Sequence, residues 1–430
     1  MNYFGFMTEA LLHYIWKLRL FNADNLLTKS GEVIEIIHQG FHNHDSGPDF
    51  LNAKIRIGKN TWAGNVELHV NGNEWYQHKH QQDDAYNNVI LHVVMESKED
   101  FVTAKNAATI PCLELKGRIN EQLLSRYEAL MRAATSIPCA NSIKQVDSFV
   151  IDNAIERNTI ERLERKVNAI VDMLHASNGD WEHTAWQMIA RYLGSGVNRD
   201  PMEQVVKQIP VSVLSKHADN ALQIEAMVFG VSGLLKGDFA DDYPRQLQKE
   251  FNYLKRFHSL NVLEPGVFRW AKIRPANFPT VRLAQLAAVM MSDVKIFSRL
   301  LKCESIKEIE SLFLIKPNVY WQNHYRFDEV SEKGVGKIGA TTIAIIAINA
   351  IVPLLFAYGK HKGEESFCDK AVSLLQSIDA EVNVITKTFG TFNIAAQSAF
   401  QSQGMVQLKQ NYCNNFRCLD CGIGNAILKV

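Results

Sequence analysis

Between Asp45 and Glu96 the chain concentrates side chains that hold metal ions or move protons: Asp45, Asp49, Glu67, His69, His78, His80 and Asp83. Glu67 and His69 are two residues apart, and positions i and i+2 of a strand share a face. They therefore project together, and pairing with a strand opened by Asp49 would bring in a second carboxylate. Two carboxylates plus a carbonyl or imidazole form a site for Mg2+ or Mn2+, which prefer oxygen ligands. Such an ion activates water and neutralises the charge that builds on a phosphodiester in transition. A second grouping stays open. His78-x-His80 on one strand face, with Asp83 three residues on, would hold Zn2+ or Fe2+ in a hydrolase of another substrate. A lone acid such as Asp49 after Pro48 reads equally well as turn chemistry. It is the density of such groups that argues for a site.

A further constellation closes the chain: Cys413-x4-Cys418-x2-Cys421. Three thiolates at this spacing need a fourth ligand to complete a tetrahedral Zn2+ site or a [4Fe-4S] cluster. Cys139, after Ile137-Pro138, is the candidate, with Cys112 as runner-up although its apolar strand neighbours point to a core thiol. Cys303 and Cys368 read as helix residues. Spacing alone does not choose between zinc and iron–sulfur.

A third feature is basic. Across 243–282, Arg245, Lys249, Lys255, Arg256, Arg269, Lys272, Arg274 and Arg282 face few acids, with Phe251, Tyr253, Phe257, Phe268 and Trp270 between them. Cations give salt-dependent affinity for phosphates and aromatic rings stack on bases. Lys255, Arg256, Arg269, Lys272 and Arg274 are therefore the candidates for contact with DNA, against the plainer reading of a solvated helix with core aromatics. Lys+Arg equals Asp+Glu at 46 each, so there is no general basic excess and any polyanion contact is local.

The elements that must position these groups follow from hydropathy. Residues 7–20 carry a helical apolar face, with Thr8 as the cap and Glu9 in the first turn. Residues 33–37, 51–57, 62–70 and 89–95 read as strands, the last apolar enough to be covered on both faces. Residues 73–88 between them read as partly helical. Thr109–Leu115 reads as an edge strand because of Pro111, and 119–133 as a helix. From 148 the pattern turns helical throughout: 151–174, 181–194, 201–208, 211–217, 219–236, 280–302, 305–314, 340–357 and 364–377, ahead of a polar end.

The expected organisation is an α/β domain over 1–147, an all-helical domain over 148–400, and a cysteine-rich segment, 401–430, packing back on the first. The uncharged stretch 340–357 is interrupted by Asn349 and Pro353 and reads as a core helix, so no membrane partner is expected. Gly334-x-Gly336-x-x-Gly339 follows no convincing strand and has no ribose-binding acid beyond it, which excludes a nicotinamide site. The start of the chain lacks a basic n-region and a cleavage motif. A cytoplasmic location is therefore expected, with free thiols or metal ligands rather than disulfides. Protein partners are open.

The order helix-strand-strand-strand-helix-strand, with Pro48-Asp49 opening the second strand and Glu67-x-His69 in the third, resembles the PD-(D/E)XK restriction-endonuclease fold. The resemblance implies a mixed-sheet nuclease core in which Asp49 and Glu67 bind Mg2+ or Mn2+. It puts His69 where the family has a lysine, with Lys54 as a migrated lysine and Glu9 as an additional acid. Certain nucleases of that kind carry an iron–sulfur staple, the role it implies for Cys139, Cys413, Cys418 and Cys421. On the same fold, a catalytically inactive nucleic-acid-binding or assembly module is the alternative. Nearly the whole chain also resembles a bacterial domain-of-unknown-function family, DUF2851-like. This rests on Gly47-Pro48-Asp49-Phe50, Trp62-x-Gly64, Glu67-x-His69, His78-x-His80-x-x-Asp83, Arg274-Pro275-Ala276-Asn277-Phe278-Pro279 and the terminal cysteines. That family implies no activity.

Overall fold

The computed structural model describes residues 7–264 and 266–429. Two compact units emerge: Met1–Ala154 with Leu408–Val430, and Ile155–Gln407. The first is mixed α/β around one sheet and the second is mostly helical.

The sheet unit opens with α1 (Glu9–Lys17), capped by Thr8, whose hydroxyl accepts from Leu11 N at 3.2 Å. Its strands are β1 (Ile34–His38), β2 (Phe41–His42), β3 (Phe50–Ile57), β4 (Asn60–Asn71), β5 (Val89–Glu96), β6 (Phe101–Thr103) and β7 (Thr109–Glu114). They lie in the order β1-β3-β4-β5-β7-β6, with β2 pairing β3. The β1–β3, β3–β4 and β6–β7 pairs are antiparallel, whereas β4–β5 and β5–β7 are parallel. β3 alternates buried and exposed residues because it covers the core on one face only. β5 is buried almost throughout, as a central strand covered on both faces must be. α1 packs against β4.

Two local devices matter for the site. The β3–β4 register slips between Phe50 and Ala53, where Asn52 takes a left-handed φ of 57°. Such a bulge re-aims the strand end next to it, here Asp49. The parallel β4–β5 pair requires a crossover, and residues 72–88 supply a very short one. It consists of α2 (Glu74–Gln77) and two 3-10 turns, His80–Gln82 and Asp84–Tyr86. The crossover starts where β4 ends, so its side chains return to the strand that carries Glu67 and His69.

Three expectations change. β7 is not an edge strand: β6 lies outside it, and Pro111 is tolerated because the β5–β7 ladder begins only at Cys112. Residues 280–302 break at Asp293–Lys295 into two helices. The end of the chain is not merely polar but carries further helices, of which Gly422–Lys429 packs on α3 (Glu121–Met131).

The second unit includes α4 (Ser148–Ala176) from Ile155 onward, α5 (Trp181–Leu193), α6 (Arg199–Lys207), α7 (Val211–Leu214), α8 (Ala221–Val231), α9 (Asp242–His258) and α10 (Pro279–Ser292). Trp186, Phe229, Phe313 and Trp321 are fully buried in its core. The helix Ala340–Lys362 is long and apolar enough to cross a membrane, and most of it is buried in that core. Gly334–Gly339 runs as irregular chain, and a β-carbon at Gly334 would strike the backbone of Trp321 and Gln322.

Candidate metal centre

Glu67 and His69 project from one face of β4 and are almost fully buried. Asp49, just ahead of β3, interlocks with them. Its N–H donates to Glu67 Oε2 at 3.1 Å, and its Oδ2 accepts from Leu68 N at 2.9 Å. α1 adds two groups one turn apart. His13 Nε2 lies 3.1 Å from Asp49 Oδ2 and 3.8 Å from Glu9 Oε1.

The crossover brings one imidazole, His80, to the other oxygen of Glu67 and a second, His78, to His69. Here the strand expectation for His78-x-His80 fails: Lys79 between them has a left-handed φ of 63°, and the pair sits on a turn. That reversal buries His80 while His78 stays exposed at the rim. His78 Nδ1 is 3.2 Å from His69 Nε2. His80 Nε2 is 3.2 Å and His69 Nε2 3.6 Å from Glu67 Oε1. Trp75 and Tyr86 close over His80, the latter stacked at 3.8 Å between ring centroids.

A second layer lies behind His69. His92 Nε2 of β5 is 2.9 Å from His69 Nδ1, and Cys112 Sγ of β7 is 3.6 Å from His92 Nδ1. Cys112 therefore supports a histidine and is not part of the terminal cysteine group. His13 and His92 are absent from the sequence-derived site. His13 carried a signal, standing four residues after Glu9 on the same helix face. So did His92, a polar residue in an otherwise apolar strand.

The electrostatics follow from burial. Burial, and then Asp49, push the Glu67 carboxyl up to about 9. Burial, followed by His92, His80 and His78, holds His69 down to about 2, and His92 is held down to about 3 mainly by burial. His80 is lowered, again first by burial. His13 goes the other way: burial lowers it, but the Asp49 carboxylate and then Glu9 outweigh that and raise it. Glu9 is raised by burial and by Asp49.

The donor set fits a metal ion. The ring nitrogens of His69, His78 and His80 lie within 4.8 Å of one another, and so do the ligand atoms of Glu9, His13 and Asp49. Ligands about 2.0–2.1 Å from a tetrahedral ion stand about 3.3 Å apart, close to the spacings of Glu67 Oε1 from His80 and His69 and of His78 from His69. His80 Nε2 is buried with no hydrogen-bond partner, a costly state for a polar atom unless a ligand satisfies it. Three nitrogens and one oxygen suit Zn2+, Fe2+ or Mn2+ better than Mg2+.

The other candidates are placed as follows. Asp83 is exposed and spends Oδ1 on Ala85 N at 2.9 Å, capping a 3-10 turn. Lys54 is exposed on β3 among residues facing away from its buried side. His69 is neutral and buried, so it brings no lysine-like charge. Cys139, Cys413, Cys418 and Cys421 are all buried and none is in a disulfide. They sit near enough to act on one another: Cys139 is raised by burial and then by Cys413, Cys421 and Cys418, and Cys413 is pushed up to about 12 by burial and then by Cys421 and Cys418.

In the helical unit, Lys255 and Arg256 are exposed in the last turn of α9. On the same helix the exposed rings of Tyr253 and Phe257 stack at 5.8 Å. Phe251 and Phe268 are core residues instead. Arg269, Lys272 and Arg274 lie on the irregular segment before α10.

No curated protein and no solved structure is significantly similar to the chain. Residues 9–384 match the family described as "Protein of unknown function (DUF2851)", a span that takes in α1, the whole sheet and most of the helical unit. The chain belongs to the DUF2851 family.

Proposed function

We propose that the sheet unit is a metal-dependent phosphodiesterase of nuclease type acting on DNA, built on a PD-(D/E)XK-like core. What carries this reading is the interlock of Asp49 and Glu67, with His69 and His80 closing on the free oxygen of Glu67 and His78 closing on His69. The strand order supports it: α1, then β1, β3 and β4 in antiparallel succession, a short crossover, and β5 parallel to β4. Ligand sites on such sheets gather at the carboxyl ends of the parallel strands.

Glu67, His69, His78 and His80 are the residues that would hold the ion. When bound, it supplies Lewis acidity toward a phosphoryl oxygen and lowers the pKa of water. His92 fixes the ring of His69 through Nδ1, the kind of outer contact that sets tautomer and orientation. Asp49 N–H orients Glu67. His13, raised by its carboxylate neighbours, sets Nε2 beside Asp49 and is placed to act as general acid toward a leaving oxygen. Trp75 and Tyr86 exclude water from His80.

The test is metal analysis of purified protein, together with cleavage of single- and double-stranded DNA. Retained metal and cleavage, both lost in Glu67→Gln, support the reading. Retained metal without cleavage of any nucleic acid ends the phosphodiesterase claim and leaves a metal hydrolase of another substrate. The inactive-module alternative draws on the lack of a lysine at the position of His69. It predicts DNA binding that survives Asp49→Ala and drops on charge reversal at Arg256 and Arg269.

We also propose that Cys139, Cys413, Cys418 and Cys421 hold one metal centre that ties the end of the chain to the sheet unit. Their joint burial and the closeness that raises Cys139 and Cys413 support this. Anaerobic purification with metal analysis decides it: iron with sulfide, or stoichiometric zinc, supports the site, and retention of neither ends it.

A further inference from the structure

In the helical unit, the loop Gly194–Asn198 and the segment Lys272–Asn277 wall a pocket of about 320 Å3 that no acidic side chain lines. The loop is locked to the chain three residues ahead of Lys272. Asn198, itself buried, donates from Nδ2 to Arg269 O and accepts from Arg269 N, both at 2.9 Å. Gly194 lets the loop close, because a β-carbon there would strike Asn198 and Met202, whereas Gly196 faces open space. Lys272 takes a left-handed φ of 60°, a conformation that costs energy in a non-glycine residue and needs surrounding structure to hold it.

The charges of the pocket are uncompensated. Lys272 and Arg274 line it, and among the described residues neither has an ion-pair partner. Behind them lies Arg282, only 6% exposed. Its guanidinium donates to Asn277 Oδ1 at 2.6 Å, to Gln285 Oε1 at 2.8 Å and to Thr342 Oγ1 at 3.4 Å, all neutral acceptors, and its Nε is buried without a partner. Burial alone pulls its pKa down to about 10. A buried cation is ordinarily paired with an anion. Asn277 connects the two layers. Its oxygen is taken by Arg282, which leaves its N–H2 as the group it offers to the pocket it lines.

We propose that this pocket binds the phosphate of a phosphomonoester, with Lys272, Arg274 and the Asn277 amide as contacts and Arg282 as the charge behind them. A dianion matches two free cations, an amide donor and a buried third cation. The volume lies at the small end of ligand sites, enough for a phosphate and a modest attached group but not for a strand passing through. The proposal stands whether or not the sheet unit cleaves phosphodiesters. Two sources share this chemistry, the phosphorylated end of a nucleic acid and a small phosphometabolite.

Calorimetry on the full chain with inorganic phosphate, and with oligonucleotides matched except for a 5′-phosphate or 5′-hydroxyl end, tests it. Phosphate should bind, and Lys272→Ala with Arg274→Ala should weaken it by about tenfold or more at unchanged melting temperature. Asn277→Asp sets a carboxylate against Arg282, so binding should be lost while the fold holds or gains stability. A preference for the 5′-phosphate end identifies a strand terminus. Equal binding of both oligonucleotides, with inorganic phosphate retained, identifies a small phosphomonoester. No phosphate binding up to about 10 mM, or variants that bind like the parent, would overturn the proposal.

Discussion

Glu67 in the sheet unit and Glu225 in the helical unit are both buried carboxyls that burial pushes upward, to about 9 and about 7 respectively. Their surroundings differ in kind. Glu225 accepts from Asn318 Nδ2 at 3.1 Å and lies beside the Tyr243 hydroxyl, so neutral donors meet its needs. Glu67 has one N–H on Oε2, and on Oε1 it faces ring nitrogens of two neutral histidines, one of them without any hydrogen-bond partner. A buried carboxyl alone is therefore a poor sign of function. What separates the two is whether the neighbours satisfy one another or converge as acceptors on the same space. On the proposed reading, that convergence accommodates a metal ion.

The largest expected effect tests that distinction directly. Glu67→Gln should lower metal affinity by at least about a hundredfold, read by metal content after dialysis, while Glu225→Gln leaves it unchanged. Equal metal content in both variants would break the comparison. Next, His92→Phe should reduce metal affinity by about 10- to 100-fold without removing a ligand, because His69 loses the partner that orients it. Unchanged affinity would mean that the His69–His92 contact is only packing.

The pH response sharpens the other half. The unfolded chain sheds the Glu225 proton near the ordinary carboxyl value of 4.5, and the fold keeps it to about 7. Between those values the folded state binds more protons, so stability falls as pH rises through the window. The loss is on the order of 2–3 kcal/mol. Denaturant midpoints of the parent and of Glu225→Gln at pH 5 and pH 8 check it, the variant losing that slope. The smallest effect belongs to Asp83→Ala. It should cost roughly 1 kcal/mol or less as a lost turn cap and leave metal affinity intact. A fall in metal content would restore Asp83 as a ligand.

Part of this centre was legible in the chain. Asp49, Glu67 and His69 stood out because a strand has a strict period of two, so residue types translate into faces. β1, β3, β4, β5 and β7 were readable to within a residue or two from apolar patterning, the two- and three-residue β2 and β6 were not, and α1 was readable from its cap and apolar stripe. Turns have no such period. Asp83, one residue type among several in a polar stretch, was indistinguishable there from a ligand, whereas the backbone uses it as a cap. Pro111 read as the mark of an edge, yet β6 lies outside its strand.

By itself, the sequence determined that carboxylates and histidines are dense between Asp45 and Glu96, that cysteines gather at the end, and that a sheet precedes a helical remainder. Local spacing and side-chain chemistry suffice for such statements. Only the tertiary structure decided which groups meet. Glu67 takes His80 rather than Asp83 as its neighbour because Lys79 turns left-handed. His13 and His92 reach the centre because α1 packs on β4 and β5 lies beside it. Arg282 lacks an acid because the residues folded around it are amides and a hydroxyl. The meetings of His13 with Asp49, of His92 with His69 and of Arg282 with Thr342 join separate elements, and no local pattern encodes the packing that brings them together.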